Sequence, residues 1–118
     1  MGNISRNFNR EEFKCNCGCE PIAVDAELVK VLQSIRDQFN KSIKITSSYR
    51  CKAYNEHIGG AEKSKHVLGI AADIQVSGLD ARYIAKYLDE KYPHKYGVGS
   101  YETFTHIDVR KIKARWVK

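Results

Sequence analysis

Ser64-Lys65-His66-Val67-Leu68-Gly69-Ile70-Ala71-Ala72-Asp73 runs directly into Ile74-Gln75-Val76, and the reading of this stretch decides the fold. Over residues 70–76 the pattern is that of a strand. Ala72, Ile74 and Val76 share one face, and Ala71, Asp73 and Gln75 share the other. Asp73 therefore points away from the apolar run, and His66 precedes it by seven positions with Gly69 between them. That is half of a metal site. A second cluster, Thr105-His106-Ile107-Asp108, can supply the rest, because a catalytic zinc ion takes three His or carboxylate ligands and keeps its fourth position open. Period two puts Phe104, His106, Asp108 and Arg110 on one face of that strand and Thr105, Ile107 and Val109 on the other. Taken singly, each donor has an ordinary structural reading: a surface histidine, a paired carboxylate, a half-buried histidine. Taken together, His66, Asp73 and His106 form a candidate metal-ligand set.

The segments outward from these clusters supply a frame. Asn9 and Glu12 stand in capping-box spacing and predict a short helix start, which the run Cys15, Cys17, Gly18, Cys19 stops. Asp25 predicts the N-cap of a longer helix, in which Leu28, Val31, Leu32, Ile35 and Phe39 recur on one buried face. Ile43 and Ile45 alternate with Lys44 and Thr46 as a half-buried strand that delivers Ser47, Ser48, Tyr49 and Arg50 at its end. Residues 51–58 predict an irregular helix ended by Gly59-Gly60, and residues 61–68 a loop. Asp80 or Ser77 starts a last helix burying Ile84, Tyr87 and Leu88, with Pro93 beyond its end. Gly97, Val98, Gly99 and Tyr101 then predict a strand, Glu102-Thr103 a tight turn, and residues 104–110 its hairpin partner. The expected class is α+β, a small antiparallel sheet with helices packed against it.

The chain's 118 residues suit a single domain spanning residues 1–118. A hydrophobic fraction of 42% and a charged fraction of 29% exclude disordered and collagen-like classes. No apolar run reaches the roughly 18 residues of a membrane span, so no membrane insertion is expected. Residues 1–10 lack the apolar core of a secretory signal, which predicts synthesis in the cytoplasm. Twenty Lys and Arg against fourteen Asp and Glu give +6, favouring anionic partners. Arg110, Lys111, Lys113, Arg115 and Lys118 gather near the C-terminus, but the remaining charge is dispersed and no nucleic-acid motif appears, so nucleic acid is not expected as a partner.

Ser64-x-His66-x-x-Gly69-x-Ala71-x-Asp73-Ile74, followed by His106-x-Asp108, resembles the zinc peptidases that cleave bacterial cell-wall peptides: the D-alanyl-D-alanine metallopeptidases, related phage endolysins and the vancomycin-resistance dipeptidases. Ile45-Thr46-Ser47-Ser48-Tyr49-Arg50, Asn55 and Gly59-Gly60 upstream, and Gly97-Val98-Gly99 and Arg115-Trp116 downstream, extend the likeness to most of the chain. The resemblance implies a hedgehog-type zinc peptidase fold, Zn2+ held by His66, Asp73 and His106, Arg50 fixing a substrate carboxylate or carbonyl, and Ser64 hydrogen-bonding substrate. It implies hydrolysis of an amide bond in peptidoglycan peptides, in phage lysis or wall remodelling, with a holin or comparable export route for a phage product; a monomer is expected, although the sequence leaves the oligomeric state open. The signalling domain of the hedgehog proteins resembles the same scaffold and binds partners, so a catalytically inactive binding module is the alternative.

The general base departs from the family pattern. Relatives with an acidic residue three positions before the last zinc histidine use it, whereas this chain has Thr103 there. Asp108, on the same strand face as His106, and Glu102, in the preceding turn, are the candidates. Asp108 has the competing reading of a carboxylate that orients a ligand or pairs with Arg110. His57 and His94 follow helix-like segments and read as structural. Cys15, Cys17, Cys19 and Cys51 leave three readings open: reduced thiols, one disulfide to Cys51, or a second, structural metal site, although C-x-C-x-C is irregular for a zinc knuckle.

Overall fold

The strand Ala71–Val76 is the second of five in the computed structural model, which describes residues 5–17, 24–60, 64–66 and 69–118. In chain order these residues form a 3-10 turn (Arg10–Phe13), α1 (Ala26–Phe39), β1 (Ile43–Ser47), α2 (Lys52–His57), β2 (Ala71–Val76), α3 (Ala81–Lys91), β3 (Gly97–Ser100), β4 (Thr105–Asp108) and β5 (Ala114–Val117). The sheet order is β1-β2-β4-β3-β5. The first three pairings are antiparallel, as the alternation predicts.

Capping chemistry sets the helix starts. The Asp25 carboxylate accepts the N–H groups of Glu27 and Leu28, and the Asp80 carboxylate accepts that of Arg82. α1 ends at Asn40 in the left-handed region, a conformation Asn tolerates better than most residues. The backbone N–H of Asn9 donates to Glu12 Oε2 at 2.6 Å, but the helix there is only one 3-10 turn.

One face of the sheet carries the core. Ala72, Ile74 and Val76 of β2 join Ile107 of β4 and Val98 of β3, covered by Leu28, Leu32 and Ile35 of α1 and by Ile84 and Leu88 of α3. Each fully buried Leu or Ile contributes roughly 1.5–3 kcal/mol. Phe39 is only half-buried and meets Tyr87 edge-on at 4.9 Å. The other face carries a transverse row in direct register: Ser47, Asp73, His106, Gly99 and Trp116.

β5 is absent from the expected scheme, and it makes the sheet mixed, because it pairs in parallel with β3. Its placement depends on contacts distant in sequence. Arg115 donates from Nε to Asp89 at 2.6 Å and from its terminal nitrogens to the carbonyls of Tyr92 and Tyr96, tying the strand to the end of α3. No helix among the described residues is long and apolar enough to cross a membrane.

Candidate metal centre

Adjacent antiparallel strands bring Asp73 and His106 together, since the two residues are direct register partners on β2 and β4. His66 comes from the turn before β2 and not from a strand. That turn is held by its backbone: the His66 carbonyl accepts the N–H of Arg50 and of Gly69, both at 3.1 Å. Gly69 has φ +74°, which a side chain would resist. One donor atom from each of His66, Asp73 and His106 lies within 4.8 Å of the others, and all three residues are buried.

The hydrogen bonds settle which nitrogen of each histidine faces the centre. His66 Nδ1 lies 2.7 Å from the carbonyl oxygen of Ser48, which can only accept, so Nδ1 donates there and Nε2 is the nitrogen turned to the centre, 3.4 Å from Asp73 Oδ1. His106 is turned the other way. Its Nε2 donates to Asp108 Oδ2 at 2.8 Å, and its Nδ1 meets Asp73 Oδ1 at 2.9 Å. Two imidazole nitrogens and one carboxylate oxygen, each ring braced from behind, are a donor set that fits zinc.

Charge follows the same pattern. Burial alone would raise Asp73, but hydrogen bonds from His106 and His66 outweigh it and hold the carboxyl at about 2. Burial alone would lower His106, but hydrogen bonds to Asp108 and Asp73 raise it above the ordinary histidine range. Without a metal, an imidazolium between two carboxylates is the stable arrangement.

Asp108 is fully buried. Its Oδ1 accepts the backbone N–H of Arg110 at 3.2 Å and Arg110 Nε at 2.7 Å, and its Oδ2 accepts Arg110 Nη2 at 2.7 Å and His106 Nε2. All four accepting positions of the carboxylate are thus occupied. Burial would raise its pKa, but His106 and Arg110 drive it well below the carboxylate range. The expectation that Asp108 takes a proton from water does not fit this setting, whereas the alternative of orienting His106 and pairing with Arg110 does. Glu102 is exposed in the turn between β3 and β4 and does not line the cleft.

The centre opens into a cleft of about 450 Å³ lined by Arg50, Ser64, Lys65, His66, Asp73, Tyr101, Phe104, His106, Arg110 and Trp116. Arg50 donates to Asn55 Oδ1 at 3.3 Å and approaches Asp73 Oδ2 to 4.0 Å, while its Nε is buried with no hydrogen-bond partner among the described residues. Ser64 Oγ accepts the backbone N–H of His66 at 3.2 Å, which leaves its proton available to a ligand. His57 and His94 are exposed and do not line the cleft.

Several parts of this arrangement lie beyond the sequence reading. The Ser48 carbonyl orients His66, and no residue type signals a backbone contact. Trp116, the single tryptophan, sits with its ring 5.0 Å from that of His106 and donates from Nε1 to the Tyr101 hydroxyl at 2.9 Å. The Arg110 guanidinium lies 5.4 Å from the same indole. Gly97 and Gly99 leave space for these groups. A Cβ at Gly97 would collide with the Asp108 carboxylate, and one at Gly99 with the Trp116 indole.

A family model described as Peptidase M15 matches residues 6–108, which takes in every member of the centre except Arg110 and Trp116. No curated protein matches the chain.

Proposed function

The chain belongs to the Peptidase M15 family, and from that premise we propose that it is a zinc-dependent peptidase hydrolysing an amide bond in bacterial peptidoglycan peptides, with His66, Asp73 and His106 as the metal ligands. The observation that carries the reading is the convergence of His66 Nε2, Asp73 Oδ1 and His106 Nδ1 at the floor of a cleft rimmed by Arg50, Lys65 and Arg110. A cationic rim suits a peptide that carries carboxylates near the scissile bond, as wall stem peptides do.

Zinc held there supplies Lewis acidity, polarising the scissile carbonyl and making water nucleophilic near neutral pH. The chain's own residues do the rest. Arg50 anchors a substrate carboxylate or carbonyl, Ser64 donates its hydroxyl proton to the peptide, and Tyr101, Phe104 and Trp116 wall the cleft against solvent. Asp108, fixed by Arg110, holds the His106 ring so that Nδ1 faces Asp73, where it would be available to a metal. The biological setting we propose is phage lysis or wall remodelling, with the protein acting on the wall after leaving the cytoplasm.

One observation favours a second reading. Among the described residues, Asp73 is the only carboxylate lining the cleft, which is what a metal-holding binding module without turnover would show. Incubation with purified peptidoglycan, with and without a chelator, separates the two. Peptide fragments identified by mass spectrometry should appear, vanish with chelator and return with added zinc. Bound zinc with no cleavage of any wall preparation would move the assignment to the binding module.

A further inference from the structure

A second cluster of donors stands apart from the cleft. Cys15 follows the 3-10 turn and is fully buried, Cys17 is exposed two residues on, and Cys51 is the N-cap of α2. Their sulfur atoms form a triangle with edges of 3.3 Å (Cys15–Cys17), 3.6 Å (Cys17–Cys51) and 3.8 Å (Cys15–Cys51). A disulfide needs one pair at about 2.05 Å and would leave the third sulfur over. Three nearly equal edges are instead the face of a tetrahedron, and thiolates bonded to zinc at about 2.3 Å stand about 3.8 Å apart.

The surroundings favour thiolates. The backbone N–H of Cys51 donates to Cys15 Sγ at 3.4 Å, and that of Tyr54 donates to Cys51 Sγ at 3.4 Å. Soft sulfur donors of this kind select zinc over harder cations. The cluster also has no part in the cleft, whose lining contains no cysteine among the described residues.

We propose that Cys15, Cys17 and Cys51 hold a second zinc ion as thiolates, a structural site that pins the segment after the 3-10 turn to the backbone just past Arg50. Their thiol protons pass to solvent as the metal binds. A backbone bond already joins the same two segments, with the Tyr49 N–H donating to the Phe13 carbonyl at 3.1 Å. The metal would add a cross-link between regions more than thirty residues apart in sequence, and Arg50, which lines the cleft, is the residue directly before Cys51. Cys19 lies outside the described residues and is no part of the proposal.

The test is cobalt(II) substitution of the full chain, read by absorbance, because thiolate ligands give an intense sulfur-to-cobalt charge-transfer band that a nitrogen and oxygen site does not. The band should appear in the cobalt-loaded protein, persist in His106→Ala, which impairs the cleft centre, and be lost or strongly reduced in Cys17→Ser, an exposed position where replacement spares the core. Zinc counted after loading should fall by about one equivalent in Cys17→Ser, and zinc should raise the melting temperature of His106→Ala. Absence of the band from the cobalt-loaded wild type, an unchanged band in Cys17→Ser, or a disulfide within the cluster by peptide mapping would overturn the proposal. None of these readouts depends on peptidase activity, so failure of the functional assignment would not be mistaken for failure here.

Discussion

The cleft has two halves built on different principles. The sheet half, with Asp73, His106, Asp108 and Arg110, is placed by paired strands and oriented by charge: a buried carboxylate turns His106, and an arginine holds that carboxylate. The loop half, with Arg50, Ser64 and His66, is placed and oriented by peptide groups: the Ser48 carbonyl turns His66, and the His66 carbonyl receives Arg50. Two histidines that would serve the same ion are thus set by unlike means. A side-chain substitution can remove the device behind His106. None can remove the one behind His66, because a carbonyl belongs to every residue.

The contrast is sharpest at Asp108. Replacing it with Asn keeps the shape but removes the charge and a strong acceptor from His106 Nε2. Zinc affinity, measured by chelator competition, should fall by about 100-fold, the upper end for loss of a carboxylate behind a metal-binding histidine. Ser48→Ala should leave affinity near the wild-type value, since the carbonyl remains. Similar losses from both would end the distinction between the halves.

Arg50→Ala probes the loop half. It should lower kcat/KM by about 10- to 100-fold, in keeping with one charge-assisted hydrogen bond of about 1.5–3 kcal/mol, with zinc content unchanged. Loss of zinc instead would make Arg50 part of the metal centre through its approach to Asp73.

The pH response should also come from the sheet half. In metal-free protein the raised pKa of His106 means that its imidazolium contributes stability in full below about pH 6.5, lost as pH rises through the folded value. Asp73, held at about 2 against an ordinary 3.8, contributes stability present above about pH 4 and lost as pH falls toward 2. Zinc needs His106 Nδ1 unprotonated, so affinity should climb with pH across the window in which the metal-free melting temperature declines. A pH-independent affinity there would show that His106 is already neutral without metal. The smallest effect is expected at Glu102→Gln, exposed and outside the cleft lining: activity near wild type and stability within about 0.5 kcal/mol. A large loss of turnover with zinc retained would instead identify Glu102 as the base.

The same division governs what could be read from sequence. β2 and β4 were legible because period-two alternation separates Ala72, Ile74 and Ile107 from Asp73 and His106, and α1 because Asp25 and its apolar stripe mark both its start and its buried face. β5 was not, because residues 114–117 carry no distinctive alternation and their position depends on parallel pairing with β3 and on Arg115 reaching the end of α3. The types and spacing of His66, Asp73 and His106 mark them as candidate metal donors, and the structure brings the three together. Which nitrogen each histidine presents is invisible without knowing what lies behind the ring. Arg50 and Ser64 came into view only through family resemblance, since a loop has no periodicity to betray which way a side chain points.

Gly97 and Gly99 carry no functional group, yet one lies over the Asp108 carboxylate and the other over the Trp116 indole. In a library that samples every amino acid at every position, these two sites should tolerate as little as the proposed metal ligands do. A map of mutational tolerance alone would therefore mark them as chemical participants. What selection guards at both positions is an empty volume, and the way to recognise it is that alanine, the smallest addition, should already fail.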